Sequence, residues 1–137
     1  MIRNYQFVFR LFSHVILKMN IRYEMPFLPP SVNSCYRSYG KKVIKSAKLK
    51  EFEQKILQYF DSQEEDINML EGKLRLTVSF YLKGRRSIDL DNLLKALLDG
   101  MEGILFENDK MIYEIHAEKF NNCDDCKTVI QLEQLDT

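Results

Sequence analysis

A chain of 137 residues and 16.3 kDa is long enough for one compact domain and too short for two ordinary ones. With 45% hydrophobic and 29% charged residues it can bury a core, which excludes wholesale disorder. The formal net charge of zero hides a division: residues 1–50 carry ten basic groups and one acid, Glu24, whereas residues 51–137 carry ten basic groups and nineteen acids. A basic surface and an acidic site can coexist on such a domain, so neutrality does not exclude a polyanionic partner.

Three cysteines, an odd number, make no disulfide framework, and the composition is that of an intracellular protein. The most apolar stretch, Tyr5 to Leu17, is interrupted by Gln6, Arg10, Ser13 and His14. It is too short and too polar to span a bilayer and lacks the small-residue cleavage site of a secretory signal. The expectation is a soluble, cytoplasmic protein with no membrane partner. Residues 1–18 stand apart as an N-terminal extension, apolar and basic without a clear period. Either they add a strand or helix to a domain spanning 19–137, or Met19 is the natural start.

Residues 20–26 alternate apolar and polar side chains, the period of a half-buried strand, and Pro26, Pro29 and Pro30 end it. Ser31 to Gly40 reads as an exposed loop carrying Asn33, Tyr36, Arg37 and Tyr39. A helix follows from Ser46 to about Phe60, with Leu49, Phe52, Ile56, Leu57 and Phe60 at helical spacing and Ser46 as its cap. Residues 61–71 form an acidic loop. Lys73 to Lys83 is a strand with Leu74, Leu76, Val78 and Phe80 on one face, and Gly84-Arg85-Arg86-Ser87 breaks it. A second helix spans about Asp91 to Gly103 on a stripe of Leu93, Leu94, Leu97, Leu98 and Met101, capped by Asp91 and closed by Gly103. Asn108-Asp109 turns into a strand over Lys110–Lys119. Asn121–Asp125 turns again, and Thr128–Leu132 forms a last strand antiparallel to its predecessor. The order β-α-β-α-β-β argues an α+β domain with two helices packed on a small mixed sheet.

Chemistry concentrates where the third of these elements gives way to the fourth. Asp89 and Asp91 are two apart at a strand-to-helix transition, and in extended chain such residues face one side. Lys95 lies one helical turn beyond Asp91. Asp109 reaches the start of the helix only if the intervening chain folds back. Three converging carboxylates repel unless a cation neutralises them, and an oxygen-only set suits Mg²⁺. Lys83, Arg85 and Arg86 supply positive charge for phosphates that bare acids would repel. The implied chemistry is metal-assisted hydrolysis of a nucleic-acid backbone. The competing reading is a helix cap beside a solvated acid.

The run Arg86-Ser-Ile-Asp-Leu-Asp-Asn-Leu-Leu-Lys-Ala-Leu-Leu-Asp-Gly100, followed by Glu107-Asn-Asp-Lys-Met-Ile-Tyr-Glu-Ile-His-Ala-Glu-Lys119, resembles the RusA family of Holliday-junction resolvases. So does Pro29-Pro30-Ser31-Val32-Asn33 followed by Tyr36, and the resemblance covers about residues 19–132. It implies a homodimeric, Mg²⁺-dependent endonuclease that resolves four-way DNA junctions by paired nicks in recombination and repair. On that pattern Asp89, Asp91 and Asp109 take the catalytic metal-binding positions, and Lys95 that of a lysine acting at the scissile phosphate. Asn33 and Tyr36 match the early loop and Lys119 matches a basic position near the C-terminal strands, which with Arg37, Lys41, Lys42, Arg85 and Arg86 implies a set of DNA-binding residues. The sequence departs from the family in having Asn108 where a second acid is frequent and Met111 where glutamine is common.

Blander readings stand beside these. The cluster of Arg37, Lys41, Lys42, Lys45, Lys48 and Lys50 is either a solvated face or, with Tyr36 and Tyr39, a contact for the DNA backbone. Cys123 and Cys126 have the spacing of half a zinc site but read better as incidental thiols on a hairpin turn. His116 reads as a solvated or hydrogen-bonded residue. Two functions remain as alternatives to junction resolution: binding of branched DNA without efficient cleavage, and cleavage of flaps or other branched DNA.

Overall fold

A computed structural model describes residues 5–11, 15–31, 36–39 and 42–135, with side chains described over 18–31 and 46–135. The elements in chain order are β1 (Tyr5–Leu11), β2 (Val15–Met25), β3 (Tyr36–Tyr39), β4 (Lys42–Lys45), α1 (Ala47–Asp61), β5 (Leu74–Lys83), α2 (Leu90–Met101), β6 (Ile112–Cys123) and β7 (Lys127–Gln134), with a 3₁₀ turn over Asp109–Met111. The fold is α+β, two helices with a mixed sheet, as the sequence pattern predicts. The sheet order is β1-β2-β7-β5-β6, with β5 and β6 parallel and the other neighbours antiparallel. Among the described residues no helix is long and apolar enough to cross a membrane.

Central strand β5 anchors the core. Leu74, Leu76, Val78, Phe80 and Leu82 are buried on one face, the period-2 pattern read from the sequence. Ile21, Tyr23 and Met25 from β2 and Thr128, Ile130 and Leu132 from β7 continue that face. Helix α1 covers it with Leu49, Phe52, Ile56 and Phe60, and α2 with Leu93, Ala96, Leu97 and Met101. The Ser46 hydroxyl accepts the Leu49 N–H at 3.3 Å, the predicted cap. Buried Thr128 donates its hydroxyl to the Phe27 carbonyl at 2.8 Å, which seats the proline-rich segment against β7.

Several boundaries differ from the sequence reading. Residues before Met19 contribute β1 and the first part of β2, whose backbones pair antiparallel. Where the sequence suggested a loop up to Gly40, β3 and β4 pair as a separate two-stranded ribbon. Helix α2 starts at Leu90, so Asp89 rather than Asp91 is its N-cap. The last two strands do not form a hairpin. β7 runs opposite to β6, but β5 lies between them, so the turn after Cys123 carries the chain across a neighbouring strand. As the strand at the end of the sheet, β6 is exposed along most of its length, and its apolar alternation does not bury a face.

Gly100 lies where α2 meets α1: a Cβ there would stand 2.6 Å from Ile56 Cδ1 and 3.1 Å from the Phe52 ring. Gly100→Ala therefore overpacks the core, at a cost of ~1–3 kcal/mol, offset by up to ~1 kcal/mol of helix propensity. A net loss on the order of 1 kcal/mol is expected in urea unfolding. Ile56→Val, which removes the obstructing methyl, should be less costly in the Gly100→Ala background than alone. A double-mutant cycle with no such coupling would contradict this packing.

Candidate active site

The strand-to-helix junction is built to hold carboxylates in the open. After β5 the chain turns at Gly84, whose φ of 69° lies in the left-handed region that glycine tolerates. The Asn122 N–H donates to the Gly84 carbonyl at 2.9 Å, and the Lys119 ammonium donates to the Ile88 carbonyl at 2.6 Å. Both bonds come from the last residues of β6 and hold the approach to α2 against that strand. Ile88 and Leu90 are half-buried against the core. Asp89 sits between them, exposed, in extended conformation at φ −70°, ψ 136°.

Its carboxylate makes no side-chain capping bond. Asp91, in the first turn of α2, is likewise exposed, and among the described residues neither carboxylate has a hydrogen-bond or ion-pair partner. The partial positive charge of the helix N-terminus favours both anions. Two unengaged carboxylates present only oxygen donors, which fits a hard divalent cation such as Mg²⁺ with water completing its shell.

The other predicted residues fall in different places. Lys95 is paired with Asp99, one turn further along α2, at 3.8 Å rather than with Asp91. Asp109 lies at the opposite end of the helix. Its backbone N–H donates to Oε1 of Glu102, the residue that caps the C-terminus of α2, at 3.0 Å. A twelve-residue helix separates the two positions by roughly 18 Å. Within one chain the intervening segment does not bring Asp109 to Asp89 and Asp91. Among the described residues no group of three or more His, Cys, Asp or Glu side chains could hold a metal ion.

Cations border the carboxylate pair. Arg85 and Arg86 are exposed on the turn before it. Arg86 also lines a depression of about 530 Å³ between Phe27–Ser31 and α1, to which α1 contributes Lys48 and Lys55 against one acid, Glu51. Lys55 went unremarked in the sequence, where it looks like a solvated helix residue. Its signal was the seven-residue spacing from Lys48, two turns on one helix face. Tyr36 and Arg37 lie on β3 and Lys42 on β4. Asn33 and Lys41 fall outside the described residues.

Two further candidates have local partners. His116 Nε2 lies 2.7 Å from Glu118 Oε1 on the exposed strand β6. Cys123 and Cys126 are free thiols; the Cys126 sulfur accepts the Lys83 N–H at 3.4 Å, and Cys123 donates to the Phe120 carbonyl at 3.5 Å.

Comparison with known proteins places these residues in a family. The family described as endodeoxyribonuclease RusA matches residues 26–133, a span that holds Asp89, Asp91, Lys95, Asp109 and Lys119. The crossover junction endodeoxyribonuclease RusA of Aquifex aeolicus (strain VF5) is 30% identical over 92 residues, covering 66% of this chain and 71% of that protein. With its carboxylate pair at the head of α2 and its cations alongside, the chain belongs to the RusA family of endodeoxyribonucleases.

Proposed function

We propose that this chain is a Mg²⁺-dependent, structure-selective endonuclease that resolves four-way DNA junctions by paired nicks, and that it works as a homodimer. The observation that carries the reading is the pair of exposed carboxylates, Asp89 and Asp91, unengaged among the described residues, beside the basic depression lined by Lys48, Lys55 and Arg86. With kinship to a protein named for crossover-junction cleavage, this combination supports a phosphodiester held against the start of α2.

Asp89 and Asp91 would hold the metal. When bound, the ion supplies charge neutralisation at the phosphate and a polarised water. Arg85, Arg86, Lys48 and Lys55 would grip backbone phosphates, and Asn33, Tyr36, Arg37, Lys41 and Lys42 are assigned to DNA contact on their sequence positions. Lys95 is exposed and its contact with the half-buried Asp99 is long, at 3.8 Å, so the lysine can turn to the scissile phosphate at little cost. Lys119 acts by positioning: its bond to the Ile88 carbonyl sets the backbone from which Asp89 projects.

Asp109 serves the site from a second copy. Its place at the far end of α2 supports a site shared between copies, because a two-fold dimer that packs its α2 helices antiparallel brings the end of one helix to the start of the other. The same symmetry matches a four-way junction, which needs two equivalent cuts.

Asp91→Asn should slow nicking of a mobile four-way junction by roughly 10²–10³-fold or more while leaving junction binding intact or tighter, and chelation should abolish nicking by the unaltered protein. Undiminished cleavage would contradict the assignment, and binding without nicks at any divalent-metal concentration would favour a junction-binding protein instead. Lys119→Met should lower the cleavage rate of bound junction by roughly 10-fold to 10²-fold with affinity little changed; the reverse pattern would make Lys119 a phosphate contact.

Mixing tests the shared site. Asp91→Asn and Asp109→Asn proteins should each be inactive, but after exchange of subunits half the dimers are mixed, and each of these carries one intact site. About a quarter of the original sites should return, giving single rather than paired nicks. No recovery in a verified mixed dimer would mean that Asp109 does not act across the dimer.

A further inference from the structure

On the sheet face turned away from the helices, one row of side chains crosses three strands. Tyr81 on β5 is the direct neighbour of Phe120 on β6 and of Lys127 on β7. The Lys127 ammonium lies 4.8 Å from the centre of the Tyr81 ring. On the other side the Phe120 ring stacks on Tyr81, with 5.2 Å between centres and 20° between planes. β6 ends the sheet, and Phe120 remains 40% exposed. The row is a stack closed at one end by a cation and open at the other.

A single exposed phenylalanine needs no explanation. This one is held in register against a ring that is itself covered by a cation, so its free face is a preformed flat platform. Position adds a second reason. Phe120 directly follows Lys119, whose ammonium holds the carbonyl just before Asp89. Adjacent residues of a strand point to opposite faces, so platform and carboxylate pair flank the same end of β6. Charge adds a third. Lys83 and Lys127 share a depression of about 540 Å³ with Glu24 and Asp125, and Arg22, 2.8 Å from Glu24, leaves a small surplus of cations beside the ring. Glu118, the other acid nearby on that face, is engaged by His116 at 2.7 Å. What this surface offers a nucleic-acid strand is chiefly a ring to stack on, with cations at hand for its phosphates.

We propose that the Tyr81–Phe120 stack receives an unpaired nucleobase of the DNA strand whose backbone lies at Asp89 and Asp91. The inference rests on the nuclease reading for its ligand. Aromatic–base stacking is tolerant of sequence and is worth ~1–3 kcal/mol per base, which corresponds to a roughly 5-fold to 10²-fold change in affinity.

The chain contains no tryptophan, so Phe120→Trp provides a single reporter. Without divalent metal, its emission should be quenched by a short single-stranded oligodeoxynucleotide and by a four-way junction, but not by an abasic strand of equal length. Phe120→Leu should weaken binding of the base-bearing strand by roughly 5-fold to 10²-fold and leave the abasic strand unaffected, with the ratio insensitive to salt. Failure to bind the base-bearing strand, binding without quenching, or equal effects on both strands would overturn the proposal. So would emission that changes with protein concentration alone, which would make Phe120 a contact between copies. Since the readout requires no cleavage, a chain that stacks bases but never nicks would sink the nuclease reading alone, and one that nicks without stacking would sink this inference alone.

Discussion

The parallel pairing of β5 and β6 constrains everything else. Two parallel neighbours cannot be joined by a tight turn, so α2 must carry the chain back along the sheet before β6 begins. The start of α2 is thereby fixed at one end of β5, and Asp109 at the other. One consequence is chemical: a single chain presents two carboxylates at the helix start and keeps the third about one helix length, roughly 18 Å, away. The other is structural. The far end of β6 returns to the level of Asp89, where Lys119 and Asn122 can tie down the strand-to-helix turn.

That turn shows how a site can be rigid and still available. An N-cap residue usually spends its side chain on the helix's orphan amides. Asp89 has the position without the bond, and its two neighbours are anchored by burial instead. The carboxylate is held in place by its backbone, not by its own oxygens, which leaves those oxygens for a ligand. Asp91 gains from the same helix terminus electrostatically and is likewise unencumbered among the described residues. The division of charge along the sequence is only partly spatial here. Lys48 comes from the basic first fifty residues, whereas Lys55 and Arg86 come from the acidic remainder, and all three gather in one depression beside the turn that carries Asp89.

Most of the elements were legible in the sequence because their signals are local. Leu74, Leu76, Val78 and Phe80 at period two specify a strand with one buried face wherever that strand pairs, and Leu49, Phe52, Ile56 and Phe60 specify one helix face. Asp89, Asp91 and Lys95 stood out as charged groups at the border between those two periods, and their motif carried the family. β6 misled: Tyr113, Ile115 and Ala117 alternate as in a half-buried strand, yet Tyr113 and Ile115 are 62% and 45% exposed. Periodicity records that a strand has two faces; it does not say whether anything covers them.

By itself, then, the chain determined where both helices and the strands from Met19 onward other than β3 and β4 lie, which side chains alternate along them, and which acids border a helix start, since each depends on neighbours a few residues away. Only the tertiary structure decided that β7 inserts between β2 and β5, that Lys119 braces the turn before Asp89, and that Asp109 sits at the wrong end of α2 to join its partners within one copy. Those outcomes depend on which strands pair and in which direction. That choice is made by burial summed over the whole sheet, and no short window of sequence contains it.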